Sequence, residues 1–154
     1  MSFVYSALVI FVLFACIILI YYNENLYRGF YKQDWVNNVE VLLLFFSLSI
    51  MLLGFSCQIG QEKIKLLGPL LCLNLLFILL WVISLTLCSS FLLTILSSWI
   101  IFIITITTML ILALNKQKDI SILTLPFLFM SILGILYSNE LITKNPENPF
   151  NNLF

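Results

Sequence analysis

Five long stretches of this chain carry no formal charge, and short polar or charged segments separate them. The last stretch shows the plan most clearly, because Lys118 and Asp119 precede about twenty uncharged residues that end at Glu140. An α-helix needs about 20 apolar residues to cross the ~30 Å hydrocarbon core of a bilayer. Only 9% of the residues are charged, whereas a soluble domain averages about 25%. The pattern predicts an all-α integral membrane protein, a bundle of five transmembrane helices in a lipid bilayer.

The bundle is predicted to form one membrane domain over residues 1–154. A continuous helix over residues 66–114 would be about 73 Å long, more than twice the thickness of the core. The segment 88–90 is the only break in that stretch, so it predicts two spans in a tight hairpin. Short connections after the second, third and fourth spans predict antiparallel neighbours, and an odd number of spans puts the two ends on opposite faces. The predicted spans are residues 4–22, 41–59, 66–88, 91–114 and 120–138, with a polar first loop at 23–40 and a C-terminal tail at 144–154.

Polar side chains inside the spans indicate how the helices pack. Five hydroxyls of the fourth span fall within one ~100° arc, and small residues collect on one side of the fifth span. We interpret both faces as packing seams within the bundle or against other membrane subunits or a second copy; a pore wall is the alternative. Pro126 predicts a kink in the fifth span, and Asn74 is predicted to point into the bundle. The hydroxyl stripe comprises Thr94, Ser97, Ser98, Thr105 and Thr108, and the small-residue face comprises Thr124, Ser131, Gly134 and Ser138.

The distribution of charge argues against several classes of function. All seven basic and seven acidic residues lie in connections or at the ends of spans. Proton pumps and ion-coupled carriers keep ionisable groups at membrane depth, so the pattern disfavours a proton-conducting role. Histidine is absent and the four cysteines are widely spaced, so we predict neither a catalytic residue nor a metal site. No basic cluster suggests nucleic acid as a partner.

Two short stretches resemble the TspO/MBR translocator family, whose members are five-helix membrane proteins of similar length. Residues 122–128, ILTLPFL, are similar to the proline motif of the family's last helix, and residues 73–77, LNLLF, resemble its L-N-x-x-W motif. Gly134, Asn139 and Asn145 lie at or within one residue of the family's small-residue and asparagine positions. The chain departs from the family at Met130, where the family has tryptophan, and in a first loop without proline.

The resemblance implies a cavity among the helices, capped by the first loop, that binds a porphyrin, sterol or similar flat apolar molecule. No other cofactor is expected, although a lipid is a further possible occupant. Aromatic rings would supply flat apolar contacts, and Asn74 a hydrogen bond. The residues expected to line the cavity are Trp35, Asn74, Phe77, Trp81, Phe127, Met130, Gly134 and Tyr137.

A second reading is a purely structural accessory subunit of a respiratory-chain complex. The bias toward Leu, Ile, Phe and Asn, with few alanines, suggests an AT-rich genome, as in some protist nuclei and many mitochondria. A mitochondrial membrane is therefore the expected location. The two readings are compatible, because a TspO-like fold could also be incorporated in a larger complex.

Overall fold

The computed structural model describes residues 2–22, 39–88 and 90–144, and every regular element within them is an α-helix. The predicted first loop and the tail beyond residue 144 lie outside this part of the chain, apart from residues 39 and 40, which belong to a helix. The helices are α1 (Ser2–Tyr22), α2 (Val39–Gln61), α3 (Leu67–Thr86), α4 (Phe91–Leu114), α5 (Lys118–Ile122) and α6 (Leu125–Lys144).

In the part of the chain that the structure describes, five stretches are long and apolar enough to cross a membrane, as the sequence predicts. They are α1, α2, α3, α4 and the pair α5–α6, and they identify the chain as an integral membrane protein. The fifth span extends to Thr143, beyond the predicted end at residue 138. Asn139 and Glu140 mark the point at which the span leaves the hydrocarbon core of the bilayer. The helix itself continues beyond them into the headgroup region.

The predicted hairpin between the third and fourth spans is present. Helix α3 ends at Thr86 and α4 begins at Phe91. Ser90 is the N-cap of α4, and its hydroxyl accepts a hydrogen bond from the Leu93 amide at 3.4 Å. Ser90 also donates its own amide to the Ser84 carbonyl. These bonds satisfy backbone groups that the start of a helix would otherwise leave unpaired.

Pro126 produces a break instead of a simple kink. Helix α5 ends at Ile122 and α6 begins at Leu125, with a turn between them. Pro126 therefore lies in the first turn of α6, where a missing N–H has no helical partner to lose. The Thr124 hydroxyl donates to the Ser121 carbonyl at 2.7 Å and ties the turn together.

Side-chain hydrogen bonds show the direction of each helix. Ser6 near the start of α1 donates to Gln58 near the end of α2, so these two helices are antiparallel. Asn74 bonds Thr105, and Ser84 pairs with Thr94, which makes α3 and α4 antiparallel. Trp81 bonds Ser138, so α3 and α6 end on the same face. The crossings alternate, and the start of α1 and the end of α6 lie on opposite faces, as predicted.

Around the bundle the helices follow the order α1, α3, α4, α6 and α2, with α2 also in contact with α3. The helices that short connections join are neighbours, as expected. The core between them is built from buried Leu, Ile and Val side chains together with Phe127. Many large apolar side chains point outward, among them Phe11 and Phe14 on α1. In a membrane these side chains face lipid, or another subunit.

Candidate functional site: an apolar inter-helix cavity

A cavity of about 140 Å³ lies among the five long helices. Helix α6 contributes the most residues to its wall, α3 and α2 add three each, and α4 and α1 add the rest. The cavity is only partly enclosed. Ile20 and Leu42, which border it, lie at the end of α1 and the start of α2, so the cavity reaches the membrane face on which α1 ends.

Five of the residues predicted from the sequence line this cavity. They are Trp81, Phe127, Met130, Gly134 and Tyr137. The other two predicted residues of α3, Asn74 and Phe77, are not part of the lining. Trp35 lies outside the described residues. The predicted site residues on α6 and Trp81 on α3 therefore line the same cavity.

Gly134 leaves an opening in the wall of α6. Apart from its chain neighbours and the backbone of its own helix, a Cβ atom added at this position would meet no atom within 4 Å. The other helical glycines that the structure describes differ, because a Cβ on Gly54, Gly60 or Gly68 would collide with a neighbouring side chain. Gly134 therefore creates volume for the cavity, whereas the other three allow close helix packing.

Trp81 forms the side of the cavity on α3, and its polar atom is already paired. The indole N–H donates to the Ser138 hydroxyl at 3.2 Å, and Ser138 donates in turn to the Gly134 carbonyl at 2.7 Å. The Trp81 and Tyr137 rings pack edge to face, with centroids 6.3 Å apart. These contacts hold the indole ring in place, so the cavity has a preformed aromatic wall.

Several wall residues were not predicted as such. Ser98 belongs to the hydroxyl stripe, which we interpreted as a packing seam, and Ile101 and Phe46 carry no distinguishing pattern. An aliphatic side chain in an apolar helix has the same sequence signal whether it lines a cavity, fills the core or faces lipid. Ser98 and Ser131, which belongs to the predicted small-residue face, did offer a signal, since a hydroxyl in a span marks a face that avoids lipid.

The predicted hydroxyl stripe does face protein. Thr94, Ser97, Ser98, Thr105 and Thr108 are all buried, at 0–2% exposure. Each donates to a backbone carbonyl three or four residues earlier, in α4 or at its N-cap. Two of them also reach α3, where Thr94 pairs with Ser84 at 2.9 Å and Thr105 accepts from Asn74. The stripe is a seam between helices, as expected.

Asn74 points into the bundle but contacts α4. Its side chain is 1% exposed, and Nδ2 donates to Thr105 Oγ1 at 3.1 Å. The amide oxygen Oδ1 is buried without a hydrogen-bond partner. The Thr105 proton is already donated to the Ile101 carbonyl, so Thr105 cannot serve that oxygen as well. Asn74 thus gains one hydrogen bond and leaves one acceptor unsatisfied.

Because only one of the two amide atoms of Asn74 is hydrogen-bonded, substitutions at Asn74 and at Thr105 are predicted to change stability by different amounts. Thr105→Val leaves the whole Asn74 amide unpaired, and we expect it to lower the free energy of unfolding by about 1–2 kcal/mol. Asn74→Leu removes the unsatisfied oxygen together with the hydrogen bond, and we expect a change within about 0.5 kcal/mol. Reversible unfolding of each purified variant in a mixed detergent measures both values. An equal loss in the two variants would show that Oδ1 has a partner in the membrane.

Comparison of the chain with protein-family models gives no match. Comparisons with curated protein sequences and with solved structures give none either. The resemblance to the TspO/MBR family therefore rests on the sequence stretches at 73–77 and 122–128 and on the positions that follow them.

Proposed function

We propose that this protein binds an apolar ligand in the inter-helix cavity and does not transform it chemically. The observation that carries the proposal is the wall itself, which is almost wholly apolar and has no charged residue among the residues that the structure describes. Small-molecule sites are concave, mostly apolar and largely preformed, and they occur between the helices of bundles. The described wall carries no carboxylate, thiol or basic group, and the hydroxyls of Ser98 and Ser131 donate to backbone carbonyls, so no side-chain base is present there to activate them as nucleophiles.

The resemblance to TspO/MBR proteins supports a porphyrin or a sterol as the ligand. The rings of Trp81, Phe127 and Tyr137 at the wall suit such flat apolar molecules. The volume limits how much of the molecule enters, because a cavity of about 150 Å³ holds a ligand the size of benzene. Only one edge or end of a porphyrin or sterol would therefore be enclosed, with the remainder at the opening.

Gly134 provides the sharpest test of this proposal. Gly134→Leu places a branched side chain in the open space of the cavity, and we expect it to weaken ligand binding tenfold or more, about 1.4 kcal/mol. Gly134→Ala adds one methyl group and is the matched control, with binding expected within about twofold of the unchanged protein. Quenching of tryptophan fluorescence by protoporphyrin, and binding of radiolabelled cholesterol, measure the affinities in detergent.

Two outcomes would contradict the proposal. The first is that the unchanged protein binds neither the porphyrin nor the sterol nor any other apolar molecule. The second is that Gly134→Leu binds as tightly as the alanine variant, which would place the ligand elsewhere. Unfolding curves for both variants separate a blocked cavity from a damaged fold.

The second candidate is a structural accessory subunit of a respiratory-chain complex. The observation in its favour is that the buried hydroxyls of α4 bond nearby backbone carbonyls or groups on α3. Helix packing is enough to account for these bonds, without a ligand. Purification from native membranes under mild detergent distinguishes the two. Migration with a multi-subunit complex supports the structural role, and isolation of the chain alone contradicts it.

The residue bias of the chain supports a mitochondrial membrane as the location. The same bias is expected of any membrane protein whose gene is rich in A and T, so location needs its own measurement. Detection of the protein in purified mitochondria by mass spectrometry, with depletion from other membranes, provides it.

A further inference from the structure

We propose that the cavity accepts a single hydrocarbon chain of a membrane lipid, with the lipid's polar group outside at the membrane interface. This inference rests on the proposed function, because it names which part of an apolar ligand enters the same site. It follows from the hydrogen-bonding state of the wall, from the absence of charge there and from the depth of the cavity in the bundle.

Three polar side chains of the wall already use their donors within the protein. Trp81 donates to Ser138 at 3.2 Å, Ser98 donates to the Ile95 carbonyl at 2.8 Å, and Ser131 donates to the Leu128 carbonyl at 2.7 Å. A ligand carbonyl or carboxylate beside these three residues would therefore find no available donor.

An unpaired polar group in such a place is strongly disfavoured. Transfer of a polar group from water to an apolar site without a hydrogen bond is unfavourable by several kcal/mol, and a carboxylate is worse. Within residues 2–22, 39–88 and 90–144, no lysine or arginine lies on the wall to compensate a negative charge. The enclosed part of the ligand must therefore be hydrocarbon, which rules out the carboxylate edge of a porphyrin.

The lining residues also define a long, narrow shape. On α6 they run from Phe127 to Tyr137, about 15 Å along the helix axis, and on α3 from Ile78 to Leu85, about 10 Å. A volume of about 140 Å³ spread over such a length leaves a slot. A slot of this shape suits a chain better than a broad ring system.

The slot has an interfacial end and a deep end. Ile20 on its border directly precedes Tyr21 and Tyr22, which are 76% and 81% exposed at the end of α1. Tyrosines at a span end mark the headgroup level. Phe127 closes the other end and is 1% exposed. A lipid chain would enter with its methyl end toward Phe127 and its head group near the tyrosine pair.

The test uses two chains that differ only at the far end. Dodecanoic acid can insert its methyl end, whereas dodecanedioic acid has a carboxylate at both ends. The reporter is Trp81 fluorescence in the double variant Trp35→Phe, Trp99→Phe; Trp99 is 47% exposed on the outer surface and would report lipid contact instead. Dodecanoic acid brominated on its terminal carbon serves as the quencher, and the unbrominated acids compete with it.

We expect dodecanoic acid to displace the quencher at a concentration at least tenfold lower than dodecanedioic acid. Adding Gly134→Leu to the reporter should reduce the quenching to the level caused by chains in the surrounding detergent, and Phe129→Leu, at a 61% exposed position on the outer surface of α6, should retain it. Equal displacement by the two acids would overturn the inference, as would full quenching in the Gly134→Leu protein.

The outcomes separate this inference from the proposed function. If cholesterol or protoporphyrin binds and dodecanoic acid does not, the inference is overturned and the proposed function stands. If dodecanoic acid binds through its methyl end, both are supported. If no apolar compound binds, the proposed function fails and the inference fails with it.

Discussion

Replacement of Phe127 by alanine is expected to be among the most destabilising single changes in this protein. Phe127 is 1% exposed, belongs to the main core and also closes the deep end of the cavity. Truncation of a buried phenylalanine in a soluble protein typically lowers stability by about 3–5 kcal/mol. We expect about 3 kcal/mol here, because separated helices in a bilayer would keep the ring in an environment as apolar as the core. The quantity to measure is the free energy of unfolding in a mixed detergent.

Phe129 is the matched control for this change. It lies two residues further along α6 and is 61% exposed on the outer surface. Phe129→Ala should leave stability within about 0.5 kcal/mol, since it removes contacts with lipid or detergent only. Similar losses in the two variants would mean that the orientation of α6 about its axis is wrong.

Alanine at two glycines is expected to change stability in opposite directions. At Gly54 a Cβ would lie 2.8 Å from the Val9 Cγ2 atom of α1, and Val9 is buried. A valine side chain cannot swing away as a long side chain can, so α1 and α2 must separate, at about 1–3 kcal/mol. At Gly134 the added methyl group meets nothing within 4 Å. There the lower backbone entropy of alanine should stabilise the helix by about 0.5–1 kcal/mol.

Thermal unfolding of the two alanine variants, compared in the same detergent, checks the signs. Gly54→Ala should lower the midpoint and Gly134→Ala should raise it. Stabilisation of both variants would show that α1 is not held closely against α2. Destabilisation of both would show that the space beside Gly134 is filled in the membrane, and so would bear directly on the proposed site.

The number and position of the spans could be predicted because bilayer thickness acts on every segment in the same way. A charge-free block of about twenty residues has one stable solution in lipid, a helix that crosses. The stripe on α4 was predictable for a similar reason, since hydroxyls that lie on one arc avoid lipid together. The end of α6 was less predictable, because Asn139 and Glu140 mark the membrane boundary and not the end of the hydrogen-bonded helix.

The candidate site could be predicted only in part, because a cavity is a property of several helices at once. Trp81, Met130 and Tyr137 were identified from a resemblance, and no periodicity in the sequence distinguishes them from other apolar residues. The partner of Asn74 depends on how α3 is rotated and how far it is shifted along α4. That arrangement is set by the sum of many weak packing contacts, which a single sequence does not display.

The two hydrogen bonds between α3 and α4 have a consequence for how the protein assembles. Ser84–Thr94 lies beside the connecting turn, and Asn74–Thr105 lies ten residues deeper along α3, about 15 Å away. A shift of one helix past the other by a single turn would break both bonds at once. These two helices are also adjacent in the chain, so little chain entropy opposes their meeting. The α3–α4 pair is therefore the natural nucleus of assembly in the bilayer, with its register set before α1 docks against α3.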